Sequence, residues 1–124
     1  MKTLKDMLGE ARQAMLLTRV KYGSDAMSAI DALRLATLGG AQCLGRDDIG
    51  MIAPGKAADL AIFDLSDIGY SGGWDPVGSL LFCQPRRVSM LIINGRVVVE
   101  AGHLLTINVD EVQNKHRKIS AGLR

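Results

Sequence analysis

The sequence predicts an α+β fold in three blocks: two or three helices at the N-terminus, a small antiparallel β-sheet, and one helix at the end. Three observations carry this expectation. Apolar residues recur at helical spacing over the first 45 positions, the pattern changes to short apolar runs after Asp47-Asp48, and Asn94-Gly95 joins two β-rich runs. The blocks are residues 1–46, 47–105 and 106–124.

In the first block, Thr3 followed by Asp6 has the form of a capping box with Asp in place of Glu. Leu4, Leu8, Ala11 and Met15 then follow at spacings of 4, 3 and 4, which predicts an amphipathic helix from about Leu4 to Lys21. Tyr22-Gly23-Ser24 supplies a glycine stop. Ser28, with Asp31 three residues on, starts a second helix whose apolar residues are Ile30, Leu33, Leu35, Ala36 and Leu38. Gly39-Gly40 is expected to end or kink it, and Ala41 to Leu44, closed by Gly45, reads as one further helical turn.

In the second block, Ile49 to Ile52 reads as a short extended piece, Pro54-Gly55 as the centre of a type II turn, and Leu60 to Phe63 as a strand. Together they predict a hairpin. Gly69 to Gly78 holds four glycines, Trp74 and Asp75-Pro76, which predicts an irregular loop before Leu80-Leu81-Phe82. Val88 to Ile93 and Arg96 to Val99 are joined by Asn94-Gly95, residues that tolerate the positive φ angles of a type I′ turn, so a second hairpin is predicted there. In the third block, Asn108 followed by Glu111 begins a polar helix running to about Ser120, with Val109, Val112 and Ile119 as its apolar anchors. There is no internal repeat and no low-complexity tract.

Composition narrows the function classes. Hydrophobic residues make up 48% of the 124 and charged residues 23%, which excludes a disordered or collagen-like chain. Aromatics, at 4%, offer little for base-stacking platforms, so the six methionines, including Met7, Met15 and Met27, are read as core filler. Lys and Arg number 15 against 13 Asp and Glu, and the signs are interspersed, which argues against a nucleic-acid or membrane partner. The one dense basic cluster, Lys115, His116, Arg117 and Lys118, sits where a terminal helix carries cations that oppose its dipole. Cys43 and Cys83 lie in apolar contexts without Cys-x-x-Cys spacing and read as reduced, buried thiols. Lys2, Lys5, Asp6, Glu10, Arg12 and Arg19 interrupt the first 20 residues, so neither a signal-peptide core nor a membrane span is expected, and the cytoplasm is the expected compartment.

Gly50 to Lys56 satisfies Gly-x-x-x-x-Gly-Lys, the opening of a phosphate-binding loop. Its context argues for a turn instead. Position 57 is Ala and has no hydroxyl for magnesium, Pro54 removes a backbone donor, and strand-like Leu60-Ala61-Ile62-Phe63 follows where a helix is required.

The same stretch resembles the segment Gly-x-Ile-x-Pro-Gly-x-x-Ala-Asp-Leu-x-x-x-Asp of the amidohydrolase superfamily, matched by Gly50, Ile52, Pro54, Gly55, Ala58, Asp59, Leu60 and Asp64. The resemblance extends to Ala32 through Ala41, to Asp75-Pro76-Val77, and to Val88 through Gly102 with its Asn-Gly-x-Val-Val pattern. Within the superfamily the chain is most similar to enzymes that deaminate 8-oxoguanine and that remove amino groups from hydroxylated triazines. The resemblance implies a (β/α)8 barrel with a small β-sandwich built from both ends of the chain, in a protein of roughly 400 residues or more. It places residues 1–46 as the last barrel helices and 47–105 as the C-terminal share of the sandwich, with 106–124 as the terminal helix.

The family hydrolyses carbon-nitrogen bonds other than peptide bonds, using zinc or another divalent metal held by a His-x-His pair, two further histidines and an Asp. None of these ligands has a counterpart among the residues of this chain, whose only histidines are His103 and His116. No catalytic, cofactor-binding or metal-binding residue is therefore assigned, and the isolated chain is expected to be inactive and to hold no cofactor. His103 reads as a loop histidine and His116 as a residue of a polar helix. Asp75 reads as turn chemistry before Pro76, while Asp59 and Asp64 are expected to bond local backbone groups. Helices shaped to cover a barrel would expose apolar faces once alone, so self-association through them or through sheet edges is expected. The alternative is a self-standing module acting through that self-association.

Overall fold

Asp6 has an extended backbone, φ −122°, and its carboxylate accepts the Leu8 N–H at 3.1 Å, so the first helix begins directly after it. This helix, α1 (Met7–Tyr22), buries Leu8, Ala11 and Met15, three of the four residues whose spacing predicted it. Asp6 is thus the cap, where the sequence suggested the third residue of a box opened by Thr3. Thr3 and Leu4 lie outside the described residues, which in this computed structural model are 6–83 and 87–123. Gly23 closes the helix by donating its N–H to the Arg19 carbonyl at 2.9 Å.

The second helix, α2 (Ala29–Arg34), carries the predicted capping box in full: Ser28 accepts from Asp31 N–H, and the Asp31 carboxylate accepts from Ser28 N–H at 3.1 Å. The helix does not stop at the glycines. It continues through a π-helical stretch (Leu35–Gly39) into α3 (Gly40–Cys43), with Gly39 and Gly40 at φ −60° and −61°. The expected break is therefore a widened turn. Thr37 Oγ1 donates to the Leu33 carbonyl at 2.8 Å, a side-chain bond into the ladder at the place where it changes pitch. The end comes at Gly45, where Gly45 N–H bonds Gln42 O and Arg46 N–H bonds Ala41 O, both at 3.0 Å.

Two expectations in the next block fail for identifiable reasons. Residues 49–52 form no strand; β1 (Leu60–Ile62) pairs instead with β2 (Met90–Ile93), in antiparallel register Leu60↔Ile92. Gly50 at φ +89° interrupts the extended path, and Ile52 finds no burial to hold it. Likewise the glycine-rich loop ends early. After a short 3₁₀ turn (Ile68–Tyr70), Asp75 accepts the Val77 N–H at 3.0 Å, and Pro76 occupies the first position of α4 (Pro76–Phe82).

The core sits between α1, α2 and α4. Leu8, Ala11, Met15, Ala32 and Leu81 are buried there, with Met27, Ala29, Leu33, Ala36, Phe63 and Leu80 packed against them. Arg19 ties α1 to the segment before α2 and to α4: its Nε donates to Met27 O at 2.8 Å and its guanidinium lies 5.4 Å from the Phe82 ring centre. Met15 and Met27 fill the core as expected. Met7 is exposed, and so is Cys43, which follows buried Ala41 by two residues and so points to the far side of the helix.

The sheet has the order β1-β2-β3-β4, with β3 (Arg96–Glu100) and β4 (His103–Leu104). Asn94 and Gly95, at φ +48° and +76°, make the predicted tight turn between β2 and β3. Register runs Leu91↔Val99 and then Ile92↔Val97, which leaves Val98 as the extra residue of a bulge; its carbonyl accepts from Leu105 N–H at 2.9 Å. The β3–β4 turn went unforeseen, because Ala101 at φ +47° occupies a position where sequence rules look for Gly, Asn or Asp. Last comes α5 (Val109–Ala121), capped by Asn108 and braced by a Glu111–Lys115 pair at 2.7 Å. It buries no residue, and Val109, Val112 and Ile119 are exposed. No described helix is long and apolar enough to cross a membrane.

Candidate functional site

The loop from Gly50 to Asp59 carries the most distinctive local sequence, and its geometry is that of a structural clasp. Gly50 lies on the π-helical stretch and α3 so closely that a Cβ there would stand 2.8 Å from Ala41 Cβ and 3.1 Å from both Leu38 Cα and Thr37 O. Only glycine fits this approach at φ +89°. At the predicted turn Gly55 has φ +80°, and Lys56 N–H bonds Ala53 O at 3.2 Å. Ala57 N–H donates to Asp48 O at 2.8 Å, and the Lys56 ammonium folds back onto the Asp47 carbonyl. A phosphate cradle needs free N–H groups and a lysine aimed into it. Here the Lys56 and Ala57 N–H groups and the Lys56 ammonium close the loop on itself.

Beside the loop, Arg46 grips Asp48 with two nitrogens, Nε to Oδ1 at 2.9 Å and Nη2 to Oδ2. That hydrogen bonding holds the Asp48 carboxyl below the usual carboxylate range and raises the Arg46 guanidinium further. Both groups are exposed, so the pair adds little to stability.

The carboxylates expected to bond locally divide into two kinds. Asp64 accepts from Ser66 N–H at 2.9 Å, and Ser66 keeps its carboxyl below the ordinary value, as expected of a turn. Asp59 does something else. Its Oδ1 accepts the Asn94 N–H at 2.7 Å, while Gly95 N–H donates to Ala58 O at 3.0 Å. Its partner is 35 residues away, so the local expectation is corrected. The Ala58-Asp59 pair ties the end of the first loop to the Asn94-Gly95 turn. No local signal reveals such a bond, whereas the Asp75 cap was legible in the Asp-Pro pair itself.

His103 begins β4 and His116 lies on α5, both exposed and on different elements. Among the described residues no group of three or more His, Cys, Asp or Glu side chains is placed to hold a metal ion. An open catalytic zinc centre takes about three convergent protein ligands, and the donor set described here does not fit one. Asp31 is the other perturbed carboxyl; hydrogen bonds from the Ser28 hydroxyl and N–H lower it, which is helix capping.

Comparison with known proteins gives consistent matches. The family model described as Amidohydrolase family matches residues 1–98. An 8-oxoguanine deaminase from Pseudomonas aeruginosa is 39% identical over 118 residues, covering 95% of this chain and 26% of the deaminase. A 5-methylthioadenosine/S-adenosylhomocysteine deaminase from Pelotomaculum thermopropionicum is 36% identical, covering 91% of this chain and 27% of its own length. Among solved structures, an adenosine deaminase from Xanthomonas campestris with bound zinc aligns at a TM-score of 0.85 and 33% identity, over 91% of this chain and 26% of that one. The atrazine chlorohydrolase TrzN from Arthrobacter aurescens, complexed with zinc, aligns at 0.81 and 33%, over 87% and 25%. The chain spans about a quarter of the length of each of these relatives.

Proposed function

The chain belongs to the amidohydrolase family, and on that premise we propose that it is the C-terminal structural share of a metal-dependent hydrolytic deaminase. The parent reaction cleaves a C–N bond of a purine or triazine-like ring. Water oxygen bonds to the ring carbon and ammonia leaves. In this reading the metal and the proton-transferring groups belong to polypeptide that this chain does not contain, and the helices and sheet described above are scaffold. The helices of 1–46 would cover the end of a (β/α)8 barrel and the sheet would form part of a β-sandwich, in a cytoplasmic enzyme.

One observation carries this reading: alignment over 95% of the chain to only 26% of an 8-oxoguanine deaminase. The test is a graft. This chain replaces the aligned quarter of the Pseudomonas aeruginosa deaminase in one continuous polypeptide, and ammonia release from 8-oxoguanine is measured with added zinc. Release is expected from the graft and none from the 124-residue chain alone. Turnover by the isolated chain that survives repurification and is lost in His103→Ala or His116→Ala would overturn the reading.

A second reading, a self-standing module that acts through self-association, is favoured by the exposure of Val20, Ile52, Ile68 and Trp74. It requires a homo-oligomer in solution. Light scattering that shows a stable monomer at tens of micromolar would remove it.

A further inference from the structure

We infer that α5 pairs antiparallel with α5 of a second copy of this chain, through a narrow apolar seam that the fold leaves exposed. The inference names a contact for the self-association reading without depending on it, because two copies of a longer parent would pair in the same way.

Val109, Val112, His116, Ile119 and Leu123 follow one another at spacings of 3, 4, 3 and 4, the alternation of coiled-coil core positions. Gly122, at φ −79° and ψ −5°, carries the helical path on to Leu123. With about 100° per residue, the five share an arc of roughly 80°. The four apolar members are 41%, 51%, 66% and 83% exposed in that order, and His116 is exposed as well. Gln113 and Ser120 border the arc on one side, Lys115 and Gly122 on the other. A helix packed on a globular layer carries a wider apolar stripe, about 100° or more, that takes in one of those bordering positions. A seam confined to two positions per heptad suits another helix.

The charges select the partner and its direction. Asp110 and Glu111 lie in the first turn of α5, and Lys115, Arg117 and Lys118 lie toward its end. A parallel pair would set each cluster beside its own copy. In an antiparallel pair, Val109 layers with Ile119 of the second copy and Val112 with His116 of the second copy. That register puts Asp110 on the same flank as Arg117 of the second copy and Glu111 on the same flank as Lys118 of the second copy, each within one residue of level. The helix dipoles then oppose one another. Lys115 approaches its own copy near the two-fold axis, but Glu111 already meets its charge at 2.7 Å. One register thus satisfies the apolar layers and the charges together, and the two-fold makes each contact twice.

His116 is the one polar position in the seam, and such a residue fixes register at a cost in affinity. The Asn108 cap and the Glu111–Lys115 pair already order α5, which lowers the entropy lost on pairing. Two heptads bury less than the roughly 1,200 Å² of a stable interface, so the pair is weak and forms with rising concentration.

The experiment uses the full 124-residue chain in sedimentation equilibrium, where a monomer–dimer equilibrium is expected. Val112→Glu with Ile119→Glu is expected to raise the dissociation constant at least tenfold, and His116→Leu to lower it at least tenfold. Direction is read by mixing a chain carrying Val109→Cys with one carrying Ile119→Cys under mild oxidation and identifying the joined peptides by mass spectrometry. Disulfides between positions 109 and 119 are expected to outnumber those joining 109 to 109. This readout and the His116→Leu result decide the matter even where circular dichroism shows that the Glu substitutions unwind α5. A chain that stays monomeric up to millimolar concentration, or one in which 109–109 disulfides predominate, would overturn the inference. A dimer that survives the Glu substitutions also overturns the helix pair, while leaving the self-association reading in place.

Discussion

The three-helix core and the four-stranded sheet are held in opposite ways. Between α1, α2 and α4, five side chains are buried and the connecting geometry is loose enough to admit a π-helical stretch. In the sheet no strand residue is buried, yet the turn between β2 and β3 is fixed by Asn94 and Gly95 and clasped from outside by Ala58 and Asp59. The difference teaches that local determinism and burial are separate quantities. A turn can be specified by two residues without any core behind it, and a core can form from a stripe whose helix runs past a Gly-Gly pair.

The largest expected effect tests the burial half of the contrast. Leu81→Ala removes one of the two largest fully buried side chains and is expected to cost about 2–5 kcal/mol by urea unfolding, while Ile93→Ala in the sheet costs under about 1 kcal/mol. Equal losses would erase the distinction between the regions.

Next comes the clasp between them. Gly50→Ala combines a positive φ with a Cβ pressed against Ala41 and the backbone of Thr37 and Leu38, and is expected to destabilise by about 1–3 kcal/mol. Gly55→Ala shares the positive φ but meets nothing within 4 Å, so it should cost less. Reversal of that order in thermal unfolding would mean that the close approach of Gly50 is not what holds the loop to the helix.

The smallest effect sharpens the sheet half. Asp59→Ala leaves the Asn94 N–H without its carboxylate and is expected to cost about 0.5–1.5 kcal/mol, with faster hydrogen exchange at Asn94 and no change at the amides of α1. Asp59→Asn keeps an acceptor and should restore most of the protection. Unchanged exchange in Asp59→Ala would remove the clasp from the account.

Much of this was legible in residue order. The Ser28-Asp31 box, the Gly23 and Gly45 stops and the Asn94-Gly95 turn are contests between a few neighbouring groups, and each reads the same in the chain and in the fold. Asp75-Pro76 belonged to that class too, but the surrounding glycines drew the reading toward a loop. For the candidate site, the four lines of resemblance pointed to the amidohydrolase family, and the failure of Gly50 to Lys56 as a phosphate loop followed from Pro54, Ala57 and the strand after it.

What only the tertiary structure decided depends on partners distant in sequence. Residues 49–52 satisfy the pattern of a strand, but β1 takes β2 as its neighbour across some thirty residues. Asp59 was expected to bond nearby and instead reaches Asn94. Val109, Val112 and Ile119 have the spacing of anchors and yet stay exposed. By itself the sequence determined caps, turns and the apolar stripes, because these depend on backbone chemistry within a few residues. It could not determine which stripe meets which surface, because burial is a property of the neighbour that arrives.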